Sequence, residues 1–374
     1  MELSRIMPSP EDASKPCVVF AAGGTGGHIV PALVVAKRLL SKFPETRTCF
    51  IGVGKPIEKK LVADKEGFPY TSIEFHPVVG KGILGLLKNL LAFPVSVMRT
   101  RKKFSEIKPS VVIGFGGYPC FIPTLTAFLS GLPVYLHEQN VKSGLANRLL
   151  SKISKKVFLQ PDSDISLPER KAVRLNNPVR EKFRDVSHWQ VHSNPLKLLV
   201  LGGSQGSQSI NQAIYQLLDL FQELGIDVVH QTGERNLESV RARYQDKGVK
   251  NVLCEAFFDD LPARIEKADL VIARAGAMTV AELGCSGRAT IYIPLAISRA
   301  HQGDNVKSLQ ENEAVVVCAD DENLTACLER ELRRLDEDRS KIEQLSSNYR
   351  DSFRNVAELP EDVISKELME AASQ

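Results

Sequence analysis

The sequence predicts an α/β protein with two Rossmann-like, parallel-sheet domains that face each other across a cleft. Three observations support this. Short apolar runs alternate with longer amphipathic stretches along the whole chain, which is typical of strands joined by crossover helices. The 374 residues exceed what one hydrophobic core usually holds. A glycine-rich turn follows an apolar run near the start of the chain, and a similar turn recurs after residue 178.

Eleven apolar runs are predicted to be strands, five before and six after the Asn177-Pro178 pair. This pair is a natural break because proline has no backbone N–H and a restricted φ. The first five runs are 17–22, 48–53, 111–115, 134–138 and 156–159. The other six are 198–201, 227–231, 252–254, 270–273, 290–293 and 315–318.

The predicted domains follow from that break. Residues 17–177 form the first domain, and residues 178–352 form the second. A C-terminal helix at 353–374 is expected to rejoin the first domain. Residues 1–16 contain no apolar run, so they are predicted to be a flexible tail and not a signal peptide.

Charge is distributed unevenly between the two halves. Up to Arg184 there are 28 Lys and Arg against 14 Asp and Glu, and the remainder has 20 against 31. A basic first half suits a nucleic acid, an anionic membrane or a phosphorylated substrate. Basic residues interleaved with aromatic ones, which a nucleic-acid site would need, are missing from it, so we expect no nucleic-acid partner. The seven cysteines are odd in number and include no CxxC pair, which predicts reduced thiols.

The two glycine-rich turns are GGTGGH at 23–28 and GGSQG at 202–206. Glycine lets the backbone approach a phosphate closely, and the helix that follows offers unpaired N–H groups. The alternative is that the glycines only permit a tight turn between strand and helix. Neither turn fits GxGxxG with an acidic residue about 20 positions later, and neither ends in GK[ST], which disfavours hydride transfer and ATP hydrolysis.

Polar side chains follow several predicted strands of the first domain. His28 ends the first glycine turn, where it could accept a proton from a hydroxyl nucleophile or simply cap a helix. His137-Glu138-Gln139-Asn140 and the Gly116-Gly117-Tyr118 turn are expected at the carboxyl edge of the sheet, where binding residues often lie. Ordinary loop polarity is the alternative for both.

The second domain has corresponding segments. Arg274 to Glu282 follows an apolar strand and suits a helix that starts beside a ligand. The Glu282 carboxylate could accept both hydroxyls of a ribose, although a surface position is commoner for glutamate. His301-Gln302-Gly303-Asp304-Asn305 carries side chains that can donate and accept, as sugar hydroxyls require.

One segment suggests contact with a membrane. Residues 83–98 are largely apolar but are interrupted by Lys88, Asn89 and Pro94, so they cannot span a bilayer. With the basic residues around them, residues 81–103 are typical of an amphipathic helix at an anionic surface, or of a core helix with a solvated basic end. Three acidic clusters, at 162–164, 259–260 and 336–338, are interpreted as solvated surface, so no metal site is predicted.

Together these motifs closely resemble the MurG-type glycosyltransferases of bacterial peptidoglycan synthesis. The resemblance runs from about Val18 to Leu309. It consists of GGTGGH at 23–28, GKG at 80–82, FGGYP at 115–119, HEQN at 137–140, GLANRLLS at 144–151, NPVR at 177–180, GGSQG at 202–206, QTG at 231–233, FFDDL at 257–261, RAGAMTVAEL at 274–283 and HQ…N at 301–305.

The resemblance implies a GT-B fold and an inverting transfer of N-acetylglucosamine (GlcNAc) from UDP-GlcNAc to lipid I, the undecaprenyl-pyrophosphoryl-MurNAc-pentapeptide, without cofactor or metal. It also implies peripheral attachment to the cytoplasmic face of the inner membrane through the 81–103 region. Further partners would be other proteins of cell-wall synthesis and division. The first domain would bind the acceptor, and the second would bind the donor.

The resemblance also implies roles for single residues. His28 would be the general base, and Gly24, Tyr118, His137 and Glu138 would lie on the acceptor side. Ser204 and Gln205 would contact the diphosphate, the Phe258 backbone the uracil and Glu282 the ribose. The other residues assigned to UDP-GlcNAc are Thr25, Gly26, Gly27, Asn140, Arg180, Ala277, Met278, Thr279, Gln302 and Asn305, with Arg180 expected to act from the first domain.

Three positions depart from the family pattern. Lys142-Ser143-Gly144 replaces the usual proline-glycine pair after HEQN, Val79 replaces an arginine before GKG, and Cys120-Phe121 replaces smaller residues after GGYP. All three concern the acceptor side, so a related transferase that glycosylates diacylglycerol is the nearest alternative. An inactive scaffold or UDP-sugar sensor is the alternative of another class, against which the presence of His28 and Glu282 argues.

Overall fold

The computed structural model describes residues 14–74, 82–187, 195–203, 205–248, 251–296, 302–354 and 357–373, with backbone alone for 82–92 and 354. The chain divides into two compact units. The first consists of Met1–Pro178 and Ala357–Gln374, and the second is Val179–Val356. Each unit contains one parallel sheet.

The first unit is built on seven strands. These are β1 (Cys17–Ala21), β2 (Arg47–Gly52), β3 (Tyr70–Ser72), β4 (Val111–Gly114), β5 (Val134–Glu138), β6 (Lys156–Leu159) and β7 (Ala172–Arg174). They are all parallel, in the order β3-β2-β1-β4-β5-β6-β7. The helices are α1 (Gly26–Lys42), α2 (Pro56–Lys59) with a π-helical continuation (Lys60–Lys65), α3 (Gly82–Ile107), α4 (Gly117–Leu129), α5 (Leu145–Leu150) and, at the C-terminus, α15 (Pro360–Ala372).

The second unit has six parallel strands. They are β8 (Lys197–Leu201), β9 (Asp227–Gln231), β10 (Val252–Glu255), β11 (Leu270–Ala273), β12 (Thr290–Tyr292) and β13 (Val316–Val317), in the order β10-β9-β8-β11-β12-β13. Its helices are α6 (Glu181–Arg184), α7 (Gln208–Gln216), α8 (Leu218–Glu223), α9 (Leu237–Asp246), α10 (Leu261–Lys267), α11 (Ala277–Ser286), α12 (Lys307–Glu311), α13 (Leu324–Glu337) and α14 (Ser340–Arg354), with a 3-10 turn at Glu234–Asn236.

The central strand β1 shows why the apolar runs are continuous. Val18 and Phe20 pack into one hydrophobic cluster, whereas Cys17, Val19 and Ala21 pack into another. Successive side chains of a strand point to opposite faces, so a strand covered by helices on both faces must be apolar at every position. The same alternation between two clusters is seen in β8.

The predicted fold class is confirmed, because two α/β units with parallel sheets are present. All eleven predicted strands form, with ends within one residue of those expected. The sequence pattern missed β3 and β7, which are three residues long and lie at the two edges of the first sheet. Edge strands are partly exposed, so they lack the continuous apolar run that marks a central strand.

The C-terminal segment differs from the single helix predicted at 353–374. Helix α14 ends at Arg354 in the second unit, and α15 begins only at Pro360, a favoured residue for the first helical turn. Helix α15 packs on α1, where the Arg38 guanidinium donates to both Asp362 oxygens at 2.5 and 2.9 Å. Lys42 Nζ lies 2.7 Å from the same carboxylate. The Arg38 and Lys42 cations lower the pKa of Asp362 to about 2.

The start of the chain is anchored earlier than the predicted tail suggests. Residues 1–13 of that tail lie outside the described part of the chain. The Pro16 carbonyl accepts a hydrogen bond from the Arg47 amide at 2.8 Å. Lys15 forms an ion pair with Glu45 at 3.3 Å. The described residues of the tail are therefore attached to the start of β2 and the turn before it.

The prediction of reduced thiols is wrong for one pair. Cys318, directly after β13, and Cys327, on α13, form a disulfide with their Cα atoms 6.0 Å apart. The turn from β13 into α13 brings together two residues whose spacing of nine matched no cysteine motif. The other five cysteines carry free thiols, and four of them are buried.

Candidate active site

His28 lies in the first turn of α1, directly after the first glycine turn. Its Nδ1 atom is 3.2 Å from Oε1 of Gln139, which follows β5. The other side of the ring faces Gly116 and Gly117, whose φ values of 79° and 69° favour glycine. A Cβ at residue 117 would lie 3.0 Å from His28 Nε2. These two glycines therefore make room for the imidazole.

Gln139 is held from several directions. It is 2% exposed, and its Nε2 donates to the Phe115 carbonyl at 2.9 Å. The same nitrogen lies 3.0 Å from Nδ1 of His137. The Gln139 backbone carbonyl accepts from Asn177 Nδ2 at 3.0 Å. The amide beside His28 thus has a fixed position and orientation.

His137 and Glu138 were predicted on the acceptor side, but both side chains point into the protein. His137 is 1% exposed, and burial together with the nearby His28 lowers its pKa to about 3. The Glu138 oxygens accept four hydrogen bonds of 3.0–3.2 Å, from the Asn140 amide, Asn140 Nδ2, the Gly144 amide and Asn147 Nδ2. Glu138 therefore shapes the loop after β5 from within.

A buried carboxylate that the sequence analysis did not single out organises the first glycine turn. Glu58 is fully buried, and its Oε1 accepts from the Gly24 amide at 2.6 Å. Its Oε2 accepts from the Tyr70 hydroxyl at 2.7 Å and from the amides of Val53, Gly54 and Lys55 at 2.9, 2.9 and 3.3 Å. Burial, followed by the bond to Glu58, raises the pKa of Tyr70. Glu58 thereby joins the loops that follow β1 and β2.

Lys55 brings a cation to the same turn. Its Nζ lies 3.4 Å from the Gly24 carbonyl oxygen and 5.6 Å from the ring centre of Tyr118. Gly24 and Tyr118, predicted separately, are therefore neighbours around an exposed lysine.

In the second unit, the glycine turn at 202–206 packs against the Gln231-Thr232-Gly233 segment. Gln231 Nε2 donates to the Gly203 carbonyl at 3.0 Å. A Cβ at Gly233 would lie 2.5 Å from the Cα of Gly206, so this approach requires glycine. Gln205 is exposed, whereas Ser204 lies outside the described residues.

Arg274 supports the helix that follows this turn. Its Nη2 donates to the Ser207 hydroxyl at 2.7 Å and to the Ser209 hydroxyl at 2.8 Å. Its Nη1 contacts Asp320 at 2.8 Å. Ser207 in turn caps α7 by accepting from the Ile210 amide at 3.3 Å. Arg274 is thus hydrogen-bonded to the start of α7 and ion-paired with Asp320, which lies shortly before α13.

Glu282 is buried on α11 and pairs with Arg180. Nη2 and Nε of Arg180 donate to Glu282 Oε1 at 2.8 and 3.2 Å. Burial raises the pKa of Glu282, and the Arg180 cation opposes that shift. Arg180 lies in the second unit, so the expectation that it acts from the first domain is wrong. Ala277, Met278 and Thr279 form the first turn of α11, whose N-terminus carries the positive end of the helix dipole.

The remaining residues of this unit that are predicted to bind UDP-GlcNAc make contacts within the unit. The Phe258 ring is buried beneath the Arg264 guanidinium, 4.6 Å from its centre. Gln302 Oε1 accepts from the Leu295 amide at 3.0 Å, and Asn305 Nδ2 donates to the Ala275 carbonyl at 3.1 Å. His301 lies outside the described residues.

Comparison with known proteins gives a consistent result. The glycosyltransferase family 28 N-terminal domain matches residues 18–159, and the family 28 C-terminal domain matches 197–359. The UDP-N-acetylglucosamine–N-acetylmuramyl-(pentapeptide) pyrophosphoryl-undecaprenol N-acetylglucosamine transferase of Myxococcus xanthus (strain DK1622) is 36% identical over 337 residues, covering 88% of this chain and 86% of that protein. The protein of the same name from Syntrophus aciditrophicus (strain SB) is 37% identical over 305 residues, covering 80% and 84%.

A solved structure agrees with these relatives. The crystal structure of Acinetobacter baumannii MurG aligns with a TM-score of 0.76 at 27% identity, covering 95% of this chain and 99% of that one. The chain belongs to the MurG family. MurG membership confirms the resemblance found in the motifs and makes the chain a glycosyltransferase.

Within this MurG-family chain, sequence reasoning missed three buried or half-buried residues. The sequence places Gln139 at the carboxyl edge of the sheet without a role of its own, and it gives Arg274 no role beyond the start of RAGAMTVAEL. Glu58 had no motif signal, because its importance depends on contacts with Gly24, which is 34 residues away, and with Tyr70.

Proposed function

We propose that the chain transfers GlcNAc from UDP-GlcNAc to the 4-hydroxyl of the muramyl residue of lipid I, giving lipid II and UDP. The Myxococcus and Syntrophus relatives bear the name of this activity. The observation that carries the proposal is the setting of His28, which is held at a glycine turn by Gln139. An imidazole so placed suits the removal of a proton from a sugar hydroxyl.

The proposed reaction is a single displacement with His28 as general base. Nε2 of His28 takes the proton from the muramyl 4-hydroxyl as its oxygen attacks the anomeric carbon of GlcNAc. The bond from that carbon to the diphosphate oxygen breaks, and UDP leaves with the bonding electron pair. Attack from the face opposite the leaving group inverts the configuration and produces a β-1,4 linkage.

The second unit is proposed to bind the donor. Ser204, Gln205 and the backbone N–H groups at the start of α7 would stabilise the charge that develops on the diphosphate. Because Arg180 uses Oε1 of Glu282, we assign Oε2 of that residue to the ribose hydroxyls. The Phe258 backbone would contact the uracil. The first turn of α11, Gln302 and Asn305 would surround the GlcNAc.

The first unit is proposed to bind the acceptor. Gly24 of the first glycine turn would lie against it, beside Tyr118. The exposed Lys55 cation next to Gly24 would favour the pyrophosphate of lipid I. His137 and Glu138 would act only by shaping the loop that carries Asn140.

Peripheral attachment to an anionic membrane is proposed for the surface formed by α3 and α4. Among the described helices, none is long and apolar enough to cross a bilayer. Val95, Met98, Phe128 and Leu129 are 48, 69, 45 and 50% exposed. The Arg101 guanidinium donates to the Leu129 carbonyl, which places a cation beside these apolar side chains. Exposed apolar groups with adjacent cations are typical of proteins that bind an anionic surface.

The test is transfer of radiolabelled GlcNAc from UDP-GlcNAc to a soluble lipid I analogue in the presence of EDTA. We expect transfer by the wild type and a loss of about 10²–10⁴-fold in His28→Ala, the usual effect of losing a general base. The exposed Gln222→Ala variant is the control and should keep full activity. Transfer to diacylglycerol but not to lipid I would refute the proposed acceptor.

A further inference from the structure

The hydrogen bonds around Gln139 determine which nitrogen of His28 carries the proton. Hydrogen positions on histidine and the orientation of an amide follow from the partners that surround them. The decisive partner here is the Phe115 carbonyl, because a backbone carbonyl can only accept. Gln139 Nε2 must therefore be the atom at 2.9 Å from that oxygen, which leaves Oε1 facing His28.

The next two steps follow from this orientation. Oε1 is an acceptor, so the His28 Nδ1 atom at 3.2 Å must carry the hydrogen. In a neutral ring, Nε2 then has the free lone pair. On the other side, the second hydrogen of Gln139 Nε2 points to Nδ1 of His137 at 3.0 Å. His137 can accept it because burial keeps that ring neutral at pH 7, with its pKa lowered to about 3.

We propose that Gln139 is a positioning residue that holds His28 in the Nδ1–H tautomer, so that the Nε2 lone pair is available to the acceptor hydroxyl. The tautomer is a property of the folded protein, whereas its role in transfer rests on the function proposed above. A histidine base with its proton on Nε2 could not take another proton there. Orientation of one ring nitrogen by a hydrogen bond to the other is a general way of selecting a histidine tautomer.

Among the described residues, Gln139 is the one within hydrogen-bond distance of His28 Nδ1, and the titratable groups on the neighbouring α4 and β5 include Cys120, His137 and Glu138. Burial raises the pKa of Cys120, on α4, to about 12, so that thiol is neutral. His137, on β5, is neutral as well. The Glu138 oxygens bind four donors from the loop at 140–147. Gln139 thus provides a direct and uncharged contact to His28 Nδ1.

The first experiment reads the tautomer without any substrate. Long-range ¹H–¹⁵N spectra of ¹⁵N-histidine-labelled full-length protein at pH 8 distinguish the two neutral tautomers, and the His28 signals are assigned by their loss in His28→Ala. We expect a protonated Nδ1 and an unprotonated Nε2 in the wild type. A wild-type ring with its proton on Nε2 overturns the proposal, whether or not the Gln139 variants fold.

Two variants then test Gln139. Gln139→Leu removes the acceptor, and we expect the Nδ1–H tautomer to lose its dominance. We also expect kcat to fall by at least about 10-fold, but by less than the 10²–10⁴-fold of losing the base, with KM for UDP-GlcNAc unchanged. Gln139→Glu keeps an acceptor, so it should keep the tautomer. The oxygen that faces the Phe115 carbonyl must carry a proton to donate there, so this neutral side chain should leave the pH profile of kcat/KM as in the wild type.

The matched control is Gln222→Glu, an exposed substitution on α8 that should leave spectra and pH profile unchanged. Gln139→Leu with the wild-type tautomer and wild-type kcat would overturn the proposal. The expected tautomer in a protein that transfers nothing to lipid I would instead refute the proposed function and leave the assignment of the His28 proton intact.

Discussion

Replacing Glu58 by glutamine should loosen the first glycine turn, where Gly24 is proposed to lie against the acceptor. The Glu58 carboxylate accepts five hydrogen bonds in a fully buried position. Glutamine has one oxygen and one NH2 group. If the oxygen takes the Oε2 position, which has four donors, the NH2 group faces the Gly24 amide, and two donors then meet at the place of a 2.6 Å bond.

The size of the destabilisation follows from the lost hydrogen bond to the Gly24 amide. A hydrogen bond to a charged group contributes about 1.5–3 kcal/mol, and a buried donor left without a partner costs about 1–3 kcal/mol. We expect Glu58→Gln to lower the free energy of unfolding by about 2–4 kcal/mol. For a unit of this size that corresponds to a fall in Tm of roughly 4–16 °C. KM for the lipid I analogue should rise, because the Gly24 amide loses the partner that holds it.

Differential scanning calorimetry and transfer kinetics with each substrate varied in turn would measure both effects. The matched control is Glu45→Gln, whose side chain is 81% exposed and pairs with Lys15 at 3.3 Å. An exposed pair of this kind contributes about 0–1 kcal/mol, so the control should unfold close to the wild type. A Glu58→Gln protein with the wild-type Tm and the wild-type KM for the acceptor would refute the reasoning.

Two further predictions concern other parts of the chain. The pKa of Asp362 is lowered from 3.8 to about 2 by the Arg38 and Lys42 cations. The contribution of ionised Asp362 to the free energy of unfolding is therefore complete above the unfolded-state pKa and is lost as the pH falls through about 2. Asp362→Asn should therefore lower the free energy of unfolding by about 1 kcal/mol at pH 7, a value discounted for solvent screening, and by almost nothing near pH 2. Glu282→Gln should raise KM for UDP-GlcNAc by roughly 10–10²-fold, because a charged acceptor contributes about 1.5–3 kcal/mol, with KM for the acceptor unchanged.

Urea titrations at several pH values check the first of these, with the exposed Asp246→Asn as control. A loss of unfolding free energy in Asp362→Asn that is equally large at pH 2 and pH 7 would contradict the assigned ion pair. Donor-saturation kinetics check the second, with the exposed Glu311→Gln as control. An unchanged KM for UDP-GlcNAc in Glu282→Gln would contradict the proposed ribose contact.

The apolar pattern was enough to predict both sheets and their central strands. Runs such as 18–21 and 198–201 are buried on both faces, so every consecutive residue in them must be apolar. The motifs were enough to identify the MurG family and to single out His28 and Glu282. Apolar runs and short motifs are local properties, which can be recognised from neighbouring residues in the sequence.

Other features depended on contacts between distant residues. His28 and Gln139 are separated by 111 positions, and Arg180 and Glu282 by 102. The first pair meets because β1, β4 and β5 are neighbours in the first sheet although long segments lie between them. The second pair meets where α6 packs on α11 in the second unit. Glu58 could not be singled out for the same reason, whereas Cys318 and Cys327 are only nine residues apart and are brought together by the turn from β13 into α13. Residue type and local pattern thus predict burial and backbone conformation, whereas the proton position on His28 is decided by a backbone carbonyl that only the tertiary fold brings within reach of Gln139.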